Sequence, residues 1–145
     1  MIDMIAPGGG HVSSGFGAQE PFRSAPHKGM DISGNMGDPI KAPPGRWRVE
    51  SVITGRERNQ DNPRDPGNQV VLVPEDGRDV KIIFSHLRDV GVGEGARVVG
   101  GYSNIGSMGN TGYTVGRTGV HLDIKVRAGG EYVDPAAYLG ALGGF

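Results

Sequence analysis

The 145-residue sequence predicts a mainly β domain: a single antiparallel, sandwich-like arrangement of short strands, with long loops around a groove and little helix. Apolar runs are short and numerous, and several alternate with period two, the spacing that sends successive side chains to opposite faces of a sheet. No stretch keeps convincing helical periodicity beyond about two turns. The 27 glycines and 10 prolines are dispersed among Val/Ile runs, as tight turns between strands require, because glycine takes positive φ without strain.

Residues 47–54, from Trp47 to Thr54, alternate weakly and read as a strand. Residues 55–68 are polar and charged throughout and read as a mobile surface loop, with a lining role at a substrate groove as the lesser alternative. Gln69 to Val73 is an apolar run of the buried type, Pro74-Glu75-Asp76-Gly77-Arg78 is turn chemistry, and Val80 to Ser85 alternates again, so 69–86 reads as a hairpin. Arg97-Val98-Val99 is a further short strand. His121 to Val126 alternates across two faces. Leu122, Ile124 and Val126 face a core, while His121, Asp123 and Lys125 share the other face, with His121 and Asp123 roughly 6–7 Å apart along the strand. Residues 134–139 predict one short helical turn with Asp134 as N-cap and Pro135 in the first position. The Gly-rich tail, 140–145, reads as loose or partner-bound. No repeat or linker divides the chain, so one domain is expected over 1–145, with a core of about 12–139.

Composition excludes several classes. Fifteen basic and 16 acidic residues give a formal net charge of -1, without the basic excess of a nucleic-acid footprint. The absence of cysteine removes disulfides and thiolate metal sites, so any metal must be held by His, Asp, Glu or water. No window approaches membrane-spanning length. The N-terminus has neither a basic start nor a long apolar run, so no signal peptide is expected.

Three short strings carry chemistry: His27-Lys28-Gly29-Met30-Asp31, Ser85-His86-Leu87 and His121-Leu122-Asp123. A metal hydrolase needs three protein ligands with an open position for water, together with a general base and a group that stabilises the oxyanion. His27 and Asp31 are four apart, a helical ligand spacing, but Pro26 and Gly29 argue for a turn or strand edge with Gly29 at a tight bend. His11 lies outside these strings and reads as a surface residue, with a minor substrate role, from its nearness to Ser14-Gly15-Phe16-Gly17, as the lesser alternative.

From about Ser14 to Leu139 the chain resembles the lysostaphin-type zinc endopeptidases, the M23 peptidoglycan peptidases. Ser14-Gly15-Phe16-Gly17 resembles the family's opening S-x-F-G strand. His27-x-Gly29-x-Asp31 followed by Gly37-Asp38-Pro39-Ile40-Lys41-Ala42-Pro43 resembles H-x-G-x-D…G-T-P-[IV]-x-A. Gly67 to Leu72 resembles G-N-x-V-x-[IL], and Ser85-His86-Leu87 resembles the [YS]-x-H-L element. Gly95-x-x-Val98 and Ile105 to Gly112 resemble G-x-x-V…I-G-x-x-G-x-T-G. Thr118 to Asp123 falls on T-G-P-H-L-H, and Val133-Asp134-Pro135 resembles the closing V-D-P.

The resemblance implies Zn²⁺ ligands at His27, Asp31 and the position of Asp123, and a catalytic pair, His86 and His121. There are three departures. Asp123 stands where the family has a ligand histidine, Val120 stands where it has proline, and Tyr113 to Arg117 lengthens a loop beside the site. Tyr113 and Arg117 are accordingly substrate-groove candidates. Aspartate is competent as a zinc ligand, but its reach is roughly 2 Å shorter than that of histidine, and a second carboxylate lowers the centre's charge and hence the acidity of bound water. Three readings stay open: a zinc endopeptidase cutting peptidoglycan cross-links, at full strength or weakened by the altered ligand set; a catalytically degenerate, metal-free module binding wall polymer or a protein partner; and a site for a harder metal or another reaction. If the chain acts on wall, something must carry it there. A phage tail or similar assembly, making it a virion-associated protein, is the leading expectation, and an endolysin released with a holin is second.

Overall fold

A computed structural model describes residues 2–23 and 25–142. Ten strands and two short helices follow in chain order: α1 (Ile2–Ile5), β1 (His11–Ser14), β2 (Met30–Ser33), β3 (Pro39–Lys41), β4 (Arg46–Ile53), β5 (Asn68–Pro74), β6 (Val80–Leu87), β7 (Arg97–Val99), β8 (Asn104–Ser107), β9 (His121–Ala128), β10 (Glu131–Val133) and α2 (Pro135–Ala141). The main sheet runs β1-β2-β9-β6-β5-β4-β7, with β10 added beside β9. β3 and β8 form a separate two-stranded sheet. The pairings are antiparallel, so the mainly β, antiparallel expectation holds.

The period-two pattern settles which face is which. Met30 and Ile32 of β2, Ile82 and Phe84 of β6, and Leu122, Ile124 and Val126 of β9 are buried together with Trp47, Val49 and Leu72. Ile40 of β3, Ile105 of β8, and Ile5 and Leu139 of the helices join the same cluster, so the small sheet and both helices contribute to the core. The intervening residues of β2 and β9, Asp31, His121, Asp123 and Lys125, are left on the opposite face.

The 69–86 hairpin forms as β5 and β6, Arg97–Val99 is a strand, and the Asp134 side chain caps α2 by accepting from Ala136 N. The opening strand ends earlier than expected. β1 stops at Ser14, and the chain turns through Gly17, whose φ is 82° and whose N–H donates to His27 O. This turn folds the segment after β1 back onto the histidine. Gly140 and Ala141, expected to begin a loose tail, are helical, and residues 143–145 lie outside the described residues. Residues 55–68 are tied down rather than free: Asn59 N donates to Gly112 O, Gly112 N to Glu57 O and Tyr113 N to Asp65 O, each at 2.8–2.9 Å. No described helix is long and apolar enough to cross a membrane.

Candidate active site

Strand register brings the acidic residues together. Asp31 of β2 lies directly opposite Asp123 of β9, and Asp123 lies opposite Ser85 of β6. His27 reaches the same point from the segment just before β2, where Gly29 lets the backbone pass close to β9. A Cβ at position 29 would sit 2.5 Å from Ile124 O and 2.8 Å from Asp123 Oδ1, so a close approach, rather than a special φ, requires glycine there.

The three side chains converge. His27 Nε2 lies 3.4 Å from Asp31 Oδ1 and 3.9 Å from Asp123 Oδ1, and the three donor atoms all fall within 4.8 Å of one another. Among the described residues, four buried side-chain polar atoms lack a hydrogen-bond partner: these same three and Tyr138 Oη of α2. Buried polar groups are ordinarily satisfied, so three unsatisfied acceptors aimed at one point mark a candidate cation site.

Their other polar atoms are all engaged. His27 Nδ1 lies 3.1 Å from Ser14 Oγ, which itself donates to Glu20 Oε2 at 2.8 Å. The hydroxyl's one proton is therefore used, and His27 must donate from Nδ1, leaving the Nε2 lone pair facing inward. Arg23 Nη2 donates to Asp31 Oδ2 at 3.0 Å, and Lys125 Nζ donates to Asp123 Oδ2 at 2.6 Å. Each candidate ligand is thus held by one atom and open at another, as metal-site outer partners arrange it. Tetrahedral zinc with bonds of about 2.0–2.2 Å separates its ligand atoms by roughly 3.3–3.6 Å, so the 3.4 Å separation already fits and the 3.9 Å one needs only a small contraction. The carboxylate at 123, despite its shorter reach, arrives at the site. Among the described residues these three form the one metal-competent group of His, Asp and Glu, and a one-imidazole, two-carboxylate set fits Zn²⁺.

Two further imidazoles flank this point. His86 and His121 have ring centroids 4.8 Å apart. His86 Nδ1 is 2.7 Å from Thr111 O, and His121 Nδ1 is 2.9 Å from Gly119 O. A carbonyl can only accept, so each Nδ1 carries a proton and each ring turns its Nε2 toward the site. Nε2 of His86 lies 4.0 Å from Asp123 Oδ2, and Nε2 of His121 lies 3.8 Å from Asp31 Oδ1. His86 has a φ of 64° within β6, a left-handed conformation uncommon for a non-glycine residue and of the kind that clusters at functional sites.

Charge states follow from burial and neighbours. Burial, then the nearby His121, pushes His86 down to about 4, so it is neutral near pH 7. Burial also lowers His27, against the pull of Asp31 and Asp123. Asp31 is raised by burial and by the facing Asp123 carboxylate. Burial pushes Asp123 upward too, but the Lys125 charge and hydrogen bond, with His86 and His27, outweigh it and leave the group below its ordinary value.

The site lies in a groove of about 810 Å³ whose lining includes Phe22, Arg23, Lys28, Pro63–Pro66 and Tyr113–Val115. Arg58 ties the last of these segments down, donating from Nε to Thr114 Oγ1 at 3.1 Å and from Nη2 to Gly116 O at 2.9 Å. The 55–68 segment therefore lines the groove, the lesser of its two sequence readings. Tyr113 does line it. Arg117 is exposed and its side chain is not part of the lining; only its carbonyl is used, as an acceptor for Arg58 Nη1. His11 is exposed on β1. Sequence reasoning missed Ser14, Glu20, Arg23 and Lys125 as outer partners. Only Lys125 had a signal, since alternation puts it on the face of His121 and Asp123.

The profile of Peptidase family M23 matches residues 25–135. The chain belongs to this family. Solved structures agree with the fold. The catalytic domain of the prophage-encoded M23 protein EnpA from Enterococcus faecalis superposes with a TM-score of 0.68 at 22% identity, covering 89% of this chain and 91% of that one. Lysostaphin, the antimicrobial peptidase from Staphylococcus simulans, gives 0.68 at 26% identity over 94% of this chain and 52% of its own. A zinc-containing peptidase from Vibrio cholerae gives 0.66 at 27% identity over 86% of this chain and 35% of its own. The chain thus spans about half and a third of these last two proteins.

Proposed function

We propose that this M23 chain is a zinc endopeptidase that cleaves the peptide cross-links of bacterial peptidoglycan. One observation carries the reading: His27 Nε2, Asp31 Oδ1 and Asp123 Oδ1 are buried, unpartnered and convergent, while their remaining polar atoms are held from outside. The likeness to lysostaphin and to a zinc-containing peptidase supports it.

His27, Asp31 and Asp123 would hold the ion. Bound zinc supplies Lewis acidity, polarising a peptide carbonyl and acidifying water. The protein's own groups provide the remaining chemistry. His86 and His121 aim Nε2 beside the ligand carboxylates, so this pair can take the proton from an attacking water. The protonated imidazole then hydrogen-bonds from Nε2 to the tetrahedral oxyanion without giving up the proton, and transfers that one proton to the amine nitrogen as the peptide C–N bond breaks. Thr111 O and Gly119 O hold the two rings in the tautomer this requires. Phe22, Tyr113 and Tyr132 give the groove flat apolar surfaces on which an extended peptide can lie.

Incubation with purified cell wall tests the activity. The expected result is release of new amino termini, abolished by a chelator and restored by zinc; no release by the zinc-loaded protein contradicts it. Delivery to the wall by a phage tail or similar assembly belongs to the same proposal, prompted by the likeness to a prophage-encoded protein. Mass spectrometry of purified particles checks it, and absence of the chain from them counts against it.

One contact favours a second reading, a metal-free binding module. Lys125 Nζ, 2.6 Å from Asp123 Oδ2, already supplies a positive charge where an ion would add more. In that case the groove binds wall polymer with no zinc taken up and no peptide cut.

A further inference from the structure

Asp31 and Asp123 face each other across β2 and β9, with side chains only 14% and 9% exposed. Like charges directly opposite in a sheet repel, and removing both from water adds a desolvation penalty. Two cations offset this, and they are not equivalent. Arg23 donates to Asp31 but also pairs with Glu20, so Arg23 and Glu20 together bring no net charge. Lys125 pairs with Asp123 alone among the described residues. Its stem passes close to Gly29, where a Cβ would lie 2.7 Å from Lys125 Cγ, and its side chain lines the groove at 27% exposure. One neutral imidazole and two carboxylates cancel a divalent cation formally. With Lys125 counted, the loaded centre retains one positive charge.

We propose that Lys125 is the charge-setting positioning residue of this centre. Its ammonium holds Asp123 aligned while no metal is bound, and it keeps the loaded centre one unit more positive than the ion and its three ligands. The inference rests on the zinc reading above. It also carries a cost, because ammonium and metal share one carboxylate, so Lys125 weakens cation binding in return for a centre that folds before it is loaded. A partner that only aimed the carboxylate would have the opposite effect on removal.

The test is a set of four proteins, wild type, Lys125→Met, Lys125→Arg and Lys125→Met in an Asp123→Asn background, each measured for metal-free stability in urea and for zinc affinity by chelator competition. Lys125→Met is expected to lower the metal-free folding equilibrium at least about tenfold when Asp123 is present, and less than about threefold when position 123 is Asn, because an unpaired buried carboxylate is what destabilises. It is also expected to bind zinc about tenfold or more tightly than wild type, while Lys125→Arg, which keeps the charge, stays within about threefold. Weaker zinc binding by Lys125→Met, or equal destabilisation in both backgrounds, overturns the proposal. Failure of both wild type and Lys125→Met to bind zinc overturns the zinc reading itself. Zinc binding by Lys125→Met but not by wild type supports the charge-setting role in its strongest form.

Discussion

Asp123 occupies the position at which the resemblance implied a histidine, and the surrounding residues show how a carboxylate is accommodated there. Its Oδ1 joins His27 and Asp31 while Oδ2 is anchored to Lys125. Replacing Asp123 with His adds an imidazole of longer reach and restores a neutral donor. We expect Asp123→His to raise lytic activity on purified wall, measured as loss of turbidity; an active wild type with an unchanged variant would show that Asp123 is not a ligand. Gly29 makes a sharper case. A methyl group there meets Ile124 O, the Lys125 stem and Asp123 Oδ1 at once, so Gly29→Ala should destabilise by about 2 kcal/mol or more, as overpacking does, and should also reduce zinc uptake. Urea denaturation and metal content report the two effects separately. His86 gives a pH signature. Its folded value is about 4 against an ordinary 6.5, so between these limits the unfolded chain binds more protons than the folded one. Stability of the metal-stripped protein should therefore be full above about pH 6.5 and fall by up to about 3 kcal/mol as the pH drops to 4. His86→Gln should flatten this slope, and an unchanged slope would contradict the assignment.

Legibility in the sequence depended on element length and locality. β9 announced both its faces because eight residues alternate without interruption and the apolar set points one way. The β5–β6 hairpin and the Asp134 cap were equally local patterns. β2, β3, β8 and β10 are three or four residues long, too short for a periodic signal, and their pairing is set by tertiary contacts. The segment 55–68 misled for a related reason. Its polarity read as solvent-facing, whereas the Arg58 and Gln60 side chains donate to the carbonyls of Thr114 and Gly116, and the Asn59 backbone N–H donates to Gly112 O. Side-chain-to-backbone bonds over more than 50 residues leave no local trace. Arg58→Ala removes several of these bonds, and we expect a loss of about 1–2 kcal/mol with faster proteolytic nicking near 55–68 and near 113–117. Zinc content should be unchanged, since no ligand sits on either loop; nicking at the wild-type rate would argue against this zipper.

Across the whole molecule, one sheet face carries the core and the other carries the chemistry. The candidate ligands and the two flanking imidazoles come from the β2 edge, β6 and β9, strands adjacent in the sheet but separated in sequence. The ligand motifs were legible because a few residue types recur at definite positions. The outer partners Ser14, Glu20 and Arg23 were not, because the β1–β2 pairing brings Ser14 beside Asp31 and the turn at Gly17 folds the following segment back onto His27. A site assembled on rigid strands with buried unsatisfied acceptors should respond strongly to its ion. Ligand binding to the folded state alone stabilises by about 2.7 kcal/mol at a hundredfold excess over Kd, so the melting temperature should rise with zinc and return to its starting value with chelator. Elemental analysis of the gel-filtered protein after incubation with excess zinc decides whether the centre exists. About one zinc per chain is expected, as for a single three-ligand site, with loss of most of it in Asp31→Asn; a folded wild type that retains none contradicts the metal centre.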